Sequence, residues 1–233
     1  MSQPAFSKIA VIGVGLIGAS IALAVKHRGI QSKLAVYDSD DDVRHIAQKR
    51  GIGDDICADI ASCIVDADLV ILAVPVGAMR DVMAEMTGHL KYGAIITDTG
   101  STKRSVIRDI RPLVPQGCYL IAGHPLAGTE FSGPEAGFPS LFEGRYWLII
   151  SGDAPDDKVS ALADFLTSLG AMTEQMDVDY HDRVLALTSH LPHLIAYTIV
   201  GTAVGLEQDL KNDVIRFSAS GFRDFTRIAA SDP

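Results

Sequence analysis

This sequence has little of several things. It holds three cysteines, Cys57, Cys63 and Cys118, an odd number at irregular spacings. That argues against a disulfide framework or a zinc set; reduced thiols in a cytoplasmic protein are the simplest reading. It has no excess of cations. Lys and Arg total 20 against 29 Asp and Glu, a net charge of −9. A nucleic-acid backbone would be repelled, so no nucleic-acid partner is expected. The first residues, "MSQPAFSKIAVIGVG", lack a cationic region followed by an apolar run and cleavage site, and read as a short tail entering a strand. No internal repeat or low-complexity tract is visible. What remains is 48% hydrophobic and 21% charged over 233 residues, an ordinary globular mix with room for one large domain or two modest ones.

One apolar run is long: "VLALTSHLPHLIAYTIVGTAVGL", residues 184–206, with a Gly201-x-x-x-Gly205 pair. Both features occur in membrane helices. Ser189, His190, Pro192 and His193 interrupt its first third, and no cationic loop flanks it. A helix buried on nearly all sides by protein is the preferred reading, with no membrane partner.

Upstream, strand and helix signals alternate. "KIAVI" (8–12), "KLAVYD" (33–38), "DLVILAVP" (68–75), "AIITD" (94–98), "CYLIAG" and "RYWLIIS" (145–151) read as strands. Helical stretches lie between them, with Gly29 as a stop for the first and acidic-to-basic polarity along residues 40–51. The expected fold class is α/β: a Rossmann-type, mainly parallel sheet with helices on both faces over residues 1–176. From about Asp177 strand signals vanish, and residues 177–233 are expected to form an all-helical domain.

Gly13-Val14-Gly15-Leu16-Ile17-Gly18 follows the first strand and opens the first helix. In that context the three glycines serve a tight turn, close approach to a pyrophosphate and helix–strand packing, and Leu16 and Ile17 supply helix N-terminal N–H groups. Asp38 ends the second strand, where a carboxylate can bond a ribose 2′-hydroxyl. Asp38 with Asp40, Asp41 and Asp42 behind it, and no arginine between Asp38 and Arg44, favours NAD over NADP. Ligands of such sheets bind beyond the carboxyl ends of the strands. Those ends carry Val74-Pro75, "DTGSTK" (98–103) and Gly123-His124-Pro125, so His124 in its Gly/Pro frame is expected to face the nicotinamide. Ser101 reads as a helix cap or as a hydroxyl bonding substrate or His124.

In "SHLPH" (189–193), His190 and His193 share a helix face and Pro192 predicts a kink. A third metal ligand is missing, so one histidine in the core and the other facing a cleft is preferred to a metal site. In "GFRDFTRIAASDP" (221–233), Arg223 and Arg227 lie four apart. They read either as a solvated basic face or as a clamp for a carboxylate.

Through "GVGLIGAS", "DTGSTK", "AGHPLAGTEFSGPEAGF", "HDRVLALTSHLPHLIA" and "GFRDFTRIAASDP", in this order over nearly the whole chain, the sequence resembles the prephenate and arogenate dehydrogenases of tyrosine biosynthesis. The resemblance implies an NAD(P)-binding domain followed by a helical dimerisation domain, with the active site between them. It implies NAD-dependent oxidative decarboxylation of a cyclohexadienyl carboxylate by a homodimer. His124 would bond the ring hydroxyl, with Ser101 supporting it. His193, with His190 close by, would lie in the substrate pocket, and Thr129 and Glu130 would line it. Arg227 would bind the substrate carboxylate, with Arg223 nearby. Relatives continue beyond S-D-P, so the chain reads as shortened at Pro233, which leaves the full dimer interface open. Two rivals are a β-hydroxyacid dehydrogenase, whose lysine only Lys211 could supply here, and a non-catalytic NAD-binding regulator.

Overall fold

The structure, a computed structural model, describes residues 5–205 together with Asn212, Arg216, Phe222, Phe225, Thr226 and Ala229. Arg223, Arg227 and Lys211 lie outside the described residues. The chain runs β1 (Lys8–Ile12), α1 (Leu16–His27), β2 (Lys33–Tyr37), α2 (Asp41–Arg50), β3 (Asp55–Ile56), α3 (Ile60–Ile64), β4 (Leu69–Leu72), α4 (Met79–Met86), β5 (Ile95–Asp98), α5 (Lys103–Ile110) and β6 (Tyr119–Leu120). It continues through β7 (Ala122–Pro125), β8 (Tyr146–Ile150), α6 (Asp156–Ser168), β9 (Met172–Gln175), α7 (Val178–Leu185) and α8 (Leu191–Val204). A π-helical segment, Ala186–His190, joins α7 to α8.

The first six strands form one parallel sheet in the order β3-β2-β1-β4-β5-β6. The order reverses between β1 and β4, which opens a crevice at their carboxyl ends. Alternation along each strand sends side chains to two cores. Ile9 and Val11 of β1, with Leu69 and Ile71 of β4, join the core that includes α1 and α6. Ala10, Ile12, Val70 and Leu72 join the opposite core, with Met79, Met83, Val106 and Ile110 of α4 and α5. That double burial is why these strands read as unbroken apolar runs.

Helix ends follow local chemistry. Asp40 caps α2, its side chain accepting the Asp42 N–H at 2.8 Å, and Gly51 closes it in the left-handed region at φ 65°. Gly29, also at φ 65°, follows the end of α1 as expected.

Two expectations need correction. "CYLIAG" is not one strand, and the sheet is not single. β6 pairs with β5 as far as Leu120 opposite Ile96. After Ile121 the chain enters a second sheet, β7-β8-β9, in which β7 runs antiparallel to β8. The break has a physical cause at Gly123. Its N–H donates to the Asp98 carboxylate at 3.1 Å and its carbonyl accepts from Lys103 Nζ at 2.6 Å. Side chains thus replace the ladder where β5 ends. Second, the apolar run is not buried on nearly all sides. Ala196 is the one buried residue of α8. Leu187, Leu191, Leu194, Ile195 and Val204 are exposed, because no described segment of this chain lies against that face. Pro192 sits in the first turn of α8, directly after the π segment. Its missing N–H would have bonded the Thr188 carbonyl, so the predicted irregularity appears as a local change of helix type.

Candidate active site

The β1–α1 loop is built around close backbone contacts. Gly13 adopts φ 93°, and a Cβ there would lie 2.4 Å from the Ala73 carbonyl oxygen and 2.9 Å from a Val74 methyl. A Cβ on Gly18 would lie 1.9 Å from the Gly13 oxygen. Gly15 is different: nothing stands within 4 Å of where its Cβ would be. It is the N-cap of α1, with no side-chain cap and no acidic residue in the first turn. Unpaired N–H groups at a helix start facing open space suit an anion, and this cradle fits a dinucleotide pyrophosphate. Leu16 and Ile17 turn their side chains to the core, so what they offer a ligand is backbone. Val74 lies beside Gly13, and Pro75 precedes a short 3₁₀ turn, Val76–Ala78.

Asp38 is already engaged. Its carboxylate accepts the Val14 N–H at 2.7 Å and the Asp40 N–H at 3.0 Å, tying the glycine loop to the end of β2. Arg44 donates to the Asp38 carbonyl, pairs with Asp41 and lies 5.7 Å from the centre of the Tyr37 ring. The cation that is six residues away in sequence is therefore folded back beside Asp38.

The second half of the site is a buried polar cluster that joins three elements. His124 lies within β7, opposite Leu148 of β8, and is 8% exposed. Its Nδ1 is 3.0 Å from Nε2 of His181, on α7. His181 Nδ1 is in turn 2.8 Å from Asp182 Oδ1. The two Asp182 oxygens accept the N–H groups of Lys103 and Arg104, at 2.9 and 3.0 Å. The first turn of α5 is therefore capped from α7, since Thr102, its N-cap, makes no side-chain cap bond. The Lys103 ammonium, fully buried, pairs with Asp98 and donates to the Gly123 carbonyl. Asp98 also accepts the Gly100 N–H at 2.8 Å.

This setting keeps the His124 imidazole neutral. Burial, then the charges of Lys103, His181 and His190, lower its pKa to about 3, against a smaller upward pull from Asp182. Burial also lowers His181, more than its Asp182 partner raises it. Asp182 stays below the usual carboxylate range. Burial opposes this, but the Lys103 N–H, His181 and the Arg104 N–H outweigh it.

The remaining sequence-derived residues fall in three places. Ser101 is exposed just before α5 and is not the partner found on His124 Nδ1. The Nε2 of His190 is buried without a partner, and His193 is half-buried with Nδ1 2.8 Å from the Ser189 carbonyl. Thr129 closes a small turn on Phe131, while Glu130 is exposed. No group of three metal-ligating side chains occurs among the described residues. Sequence reading passed over Asp98, Lys103, His181 and Asp182. A charge ending the buried strand "AIITD", followed five residues later by lysine, was a usable signal for the first pair. "HD" at 181–182 offers none without its distant partners.

Two family models match the chain: prephenate dehydrogenase nucleotide-binding domain over residues 21–175, and prephenate dehydrogenase dimerization domain over residues 177–233. The cyclohexadienyl dehydrogenase of Zymomonas mobilis is 44% identical over 98% of this chain and 78% of its own length. The prephenate dehydrogenase of Bacillus subtilis is 36% identical over 97% of this chain, which spans 61% of that protein. A crystal structure of Aquifex aeolicus prephenate dehydrogenase with hydroxyphenyl propionate and NAD+ superposes with a TM-score of 0.88 at 30% identity. The match covers all of this chain and 80% of that one. Synechocystis arogenate dehydrogenase superposes at 0.79 with 26% identity, over 97% of this chain and 80% of that one. Strand order, glycine cradle, buried histidine cluster and these matches agree: the chain belongs to the prephenate dehydrogenase family.

Proposed function

We propose that this chain oxidises prephenate, arogenate or both, with NAD preferred to NADP, and releases carbon dioxide. The observation that carries the reading is His124: a buried, neutral imidazole, tied through its neighbour Gly123 to the end of β5. When bound, the oxidised nicotinamide supplies the hydride acceptor. His124 takes the proton of the C4 hydroxyl as the C4–H electron pair leaves with its hydrogen. The C1–carboxylate bond then breaks, its electrons complete the aromatic ring, and the proton returns to the ring oxygen. The substrate has lost one hydride and one carbon dioxide, with no net change in protons. A base of low pKa suffices, because a hydroxyl losing hydride becomes a protonated carbonyl and is far more acidic than an alcohol. Such a base contributes about 10²–10⁴-fold.

The other roles follow the family resemblance. Ser101 supports His124 at the ring hydroxyl, and His190, His193, Thr129 and Glu130 border the substrate. Arg227, with Arg223, takes the carboxylate. Residues 1–176 serve as the dinucleotide-binding domain and 177–233 as the helical substrate and dimerisation domain. A second copy of the chain covers the exposed apolar face of α8, giving a homodimer. NAD is preferred because the Asp38 carboxylate would repel a 2′-phosphate, although Arg44 beside it softens the preference.

The test is direct. Purified protein receives NAD with prephenate, then with arogenate, and reduced nicotinamide is followed; the assay is repeated with NADP. His124→Asn is expected to lower kcat by about 10²–10⁴-fold while NAD affinity holds. An unaltered rate would remove His124 from the chemistry.

A further inference from the structure

We propose that His181 and Asp182 are positioning residues that fix His124 in the tautomer with the proton on Nδ1, leaving Nε2 as the free basic nitrogen. It rests on the reading above for the reaction, while the donors and acceptors around His181 carry it. Asp182 is ionised, so it can only accept. Its Oδ1 is 2.8 Å from His181 Nδ1, which must therefore carry the proton. A neutral imidazole has one N–H, so Nε2 of His181 is an acceptor. That nitrogen is 3.0 Å from His124 Nδ1, which must donate. A neutral His124 with its proton on Nδ1 has its lone pair on Nε2, the nitrogen required of a proton acceptor. Assigning the tautomer from the partner on the other ring nitrogen is the usual logic for histidine.

The surroundings support the neutral state on which this depends. The charged or titratable groups acting on His124 are Lys103 from α5, His181 and Asp182 from α7, and His190 from the π segment. Three of the four disfavour a proton on it, as does burial. Asp182 is itself held by the Lys103 and Arg104 N–H groups, so its carboxylate cannot swing away without uncapping α5. The base stands on β7 and its orienting pair on α7, so docking of α7 on α5 sets the proton inventory of the site.

The direct test is nitrogen-15 NMR of histidine-labelled full chain at pH 7, with and without NAD, the His124 signals assigned by their loss in His124→Asn. The expected spectrum shows His124 protonated at Nδ1 and bare at Nε2. The opposite tautomer, or a mixture of comparable populations, overturns the proposal, whatever the variants do. Kinetics provide a second readout. His181→Leu removes the acceptor and is expected to lower kcat by up to about 10²–10⁴-fold with KM and NAD affinity little changed. His181→Gln is expected to recover at least tenfold of that loss, because its carbonyl can accept from His124 and its amide can donate to Asp182. Equal kcat in His181→Leu and wild type would also overturn the proposal. The expected tautomer in a protein inactive on both prephenate and arogenate would instead count against the assigned reaction.

Discussion

Lys103 Nζ donates to the carbonyl of Gly123 at 2.6 Å, so the first turn of α5 grips the residue immediately before the imidazole. The same ammonium pairs with Asp98, and neither side chain is exposed. Asp98 returns to the N–H of Gly123. Both backbone polar groups of one glycine are thus held by one buried ion pair, and the His124 imidazole inherits its position from that pair.

Removing one partner should be costly. Lys103→Met would leave the Asp98 carboxylate buried beside only the N–H groups of Gly100 and Gly123, and the Gly123 carbonyl unpaired. The expected loss is about 3–5 kcal/mol in urea unfolding. Adding Asp98→Asn to Lys103→Met should recover part of it, since the stranded charge disappears. Two single losses that simply add would deny the coupling.

Gly123 has no room for a side chain. A Cβ would lie 2.8 Å from both the Asp98 carbonyl oxygen and Trp147 Nε1, and 3.0 Å from Thr97 Oγ1. Gly123→Ala should destabilise the fold by about 1–3 kcal/mol and lower kcat, because β7 must shift to relieve the contact. Wild-type melting temperature and turnover together would show that the strand has slack there.

The acid limb of stability should depend on His124. Its folded pKa, about 3, lies below the ordinary 6.5. Between those values the unfolded chain binds a proton there and the folded chain does not. Stability therefore falls as pH drops through that window, by up to about 1.4 kcal/mol per pH unit from this one group. His124→Asn removes that contribution, so denaturation midpoints of wild type and variant should converge, or cross, from pH 7 to pH 5. A constant difference would mean that His124 takes up its proton without cost to the fold.

The face of α8 that carries Leu191, Leu194 and Ile195 is exposed in the single chain. These residues are three and four apart and so share one side of the helix. Leu191→Glu/Leu194→Glu should convert a dimer to a monomer in sedimentation equilibrium, with the dinucleotide-binding half still folded. A wild-type chain sedimenting as a monomer would remove the basis for the second copy.

Part of this protein is written locally. The unbroken apolar runs of β1 and β4 declare strands buried on both faces, since double burial leaves no polar alternation. Gly13, Gly15 and Gly18 between a strand and a helix declare the cradle, because only that spacing resolves the backbone contacts seen at Gly13 and Gly18. His124 stood out for its Gly/Pro setting. The sequence by itself therefore determined the Rossmann architecture and the glycine loop, and singled out His124, because each signal lies in neighbours within a few positions.

Tertiary structure alone decided what holds His124. Lys103 meets Gly123 across 20 residues, and His181 meets His124 across 57. No periodicity or spacing encodes such pairings; they exist only once β5, β7, α5 and α7 converge. The end of the first sheet at Ile121 has the same origin, because side chains of Asp98 and Lys103 take the backbone bonds that a continuing strand would need. Directional hydrogen bonds between distant segments are properties of the assembled fold, and so were invisible until it was assembled.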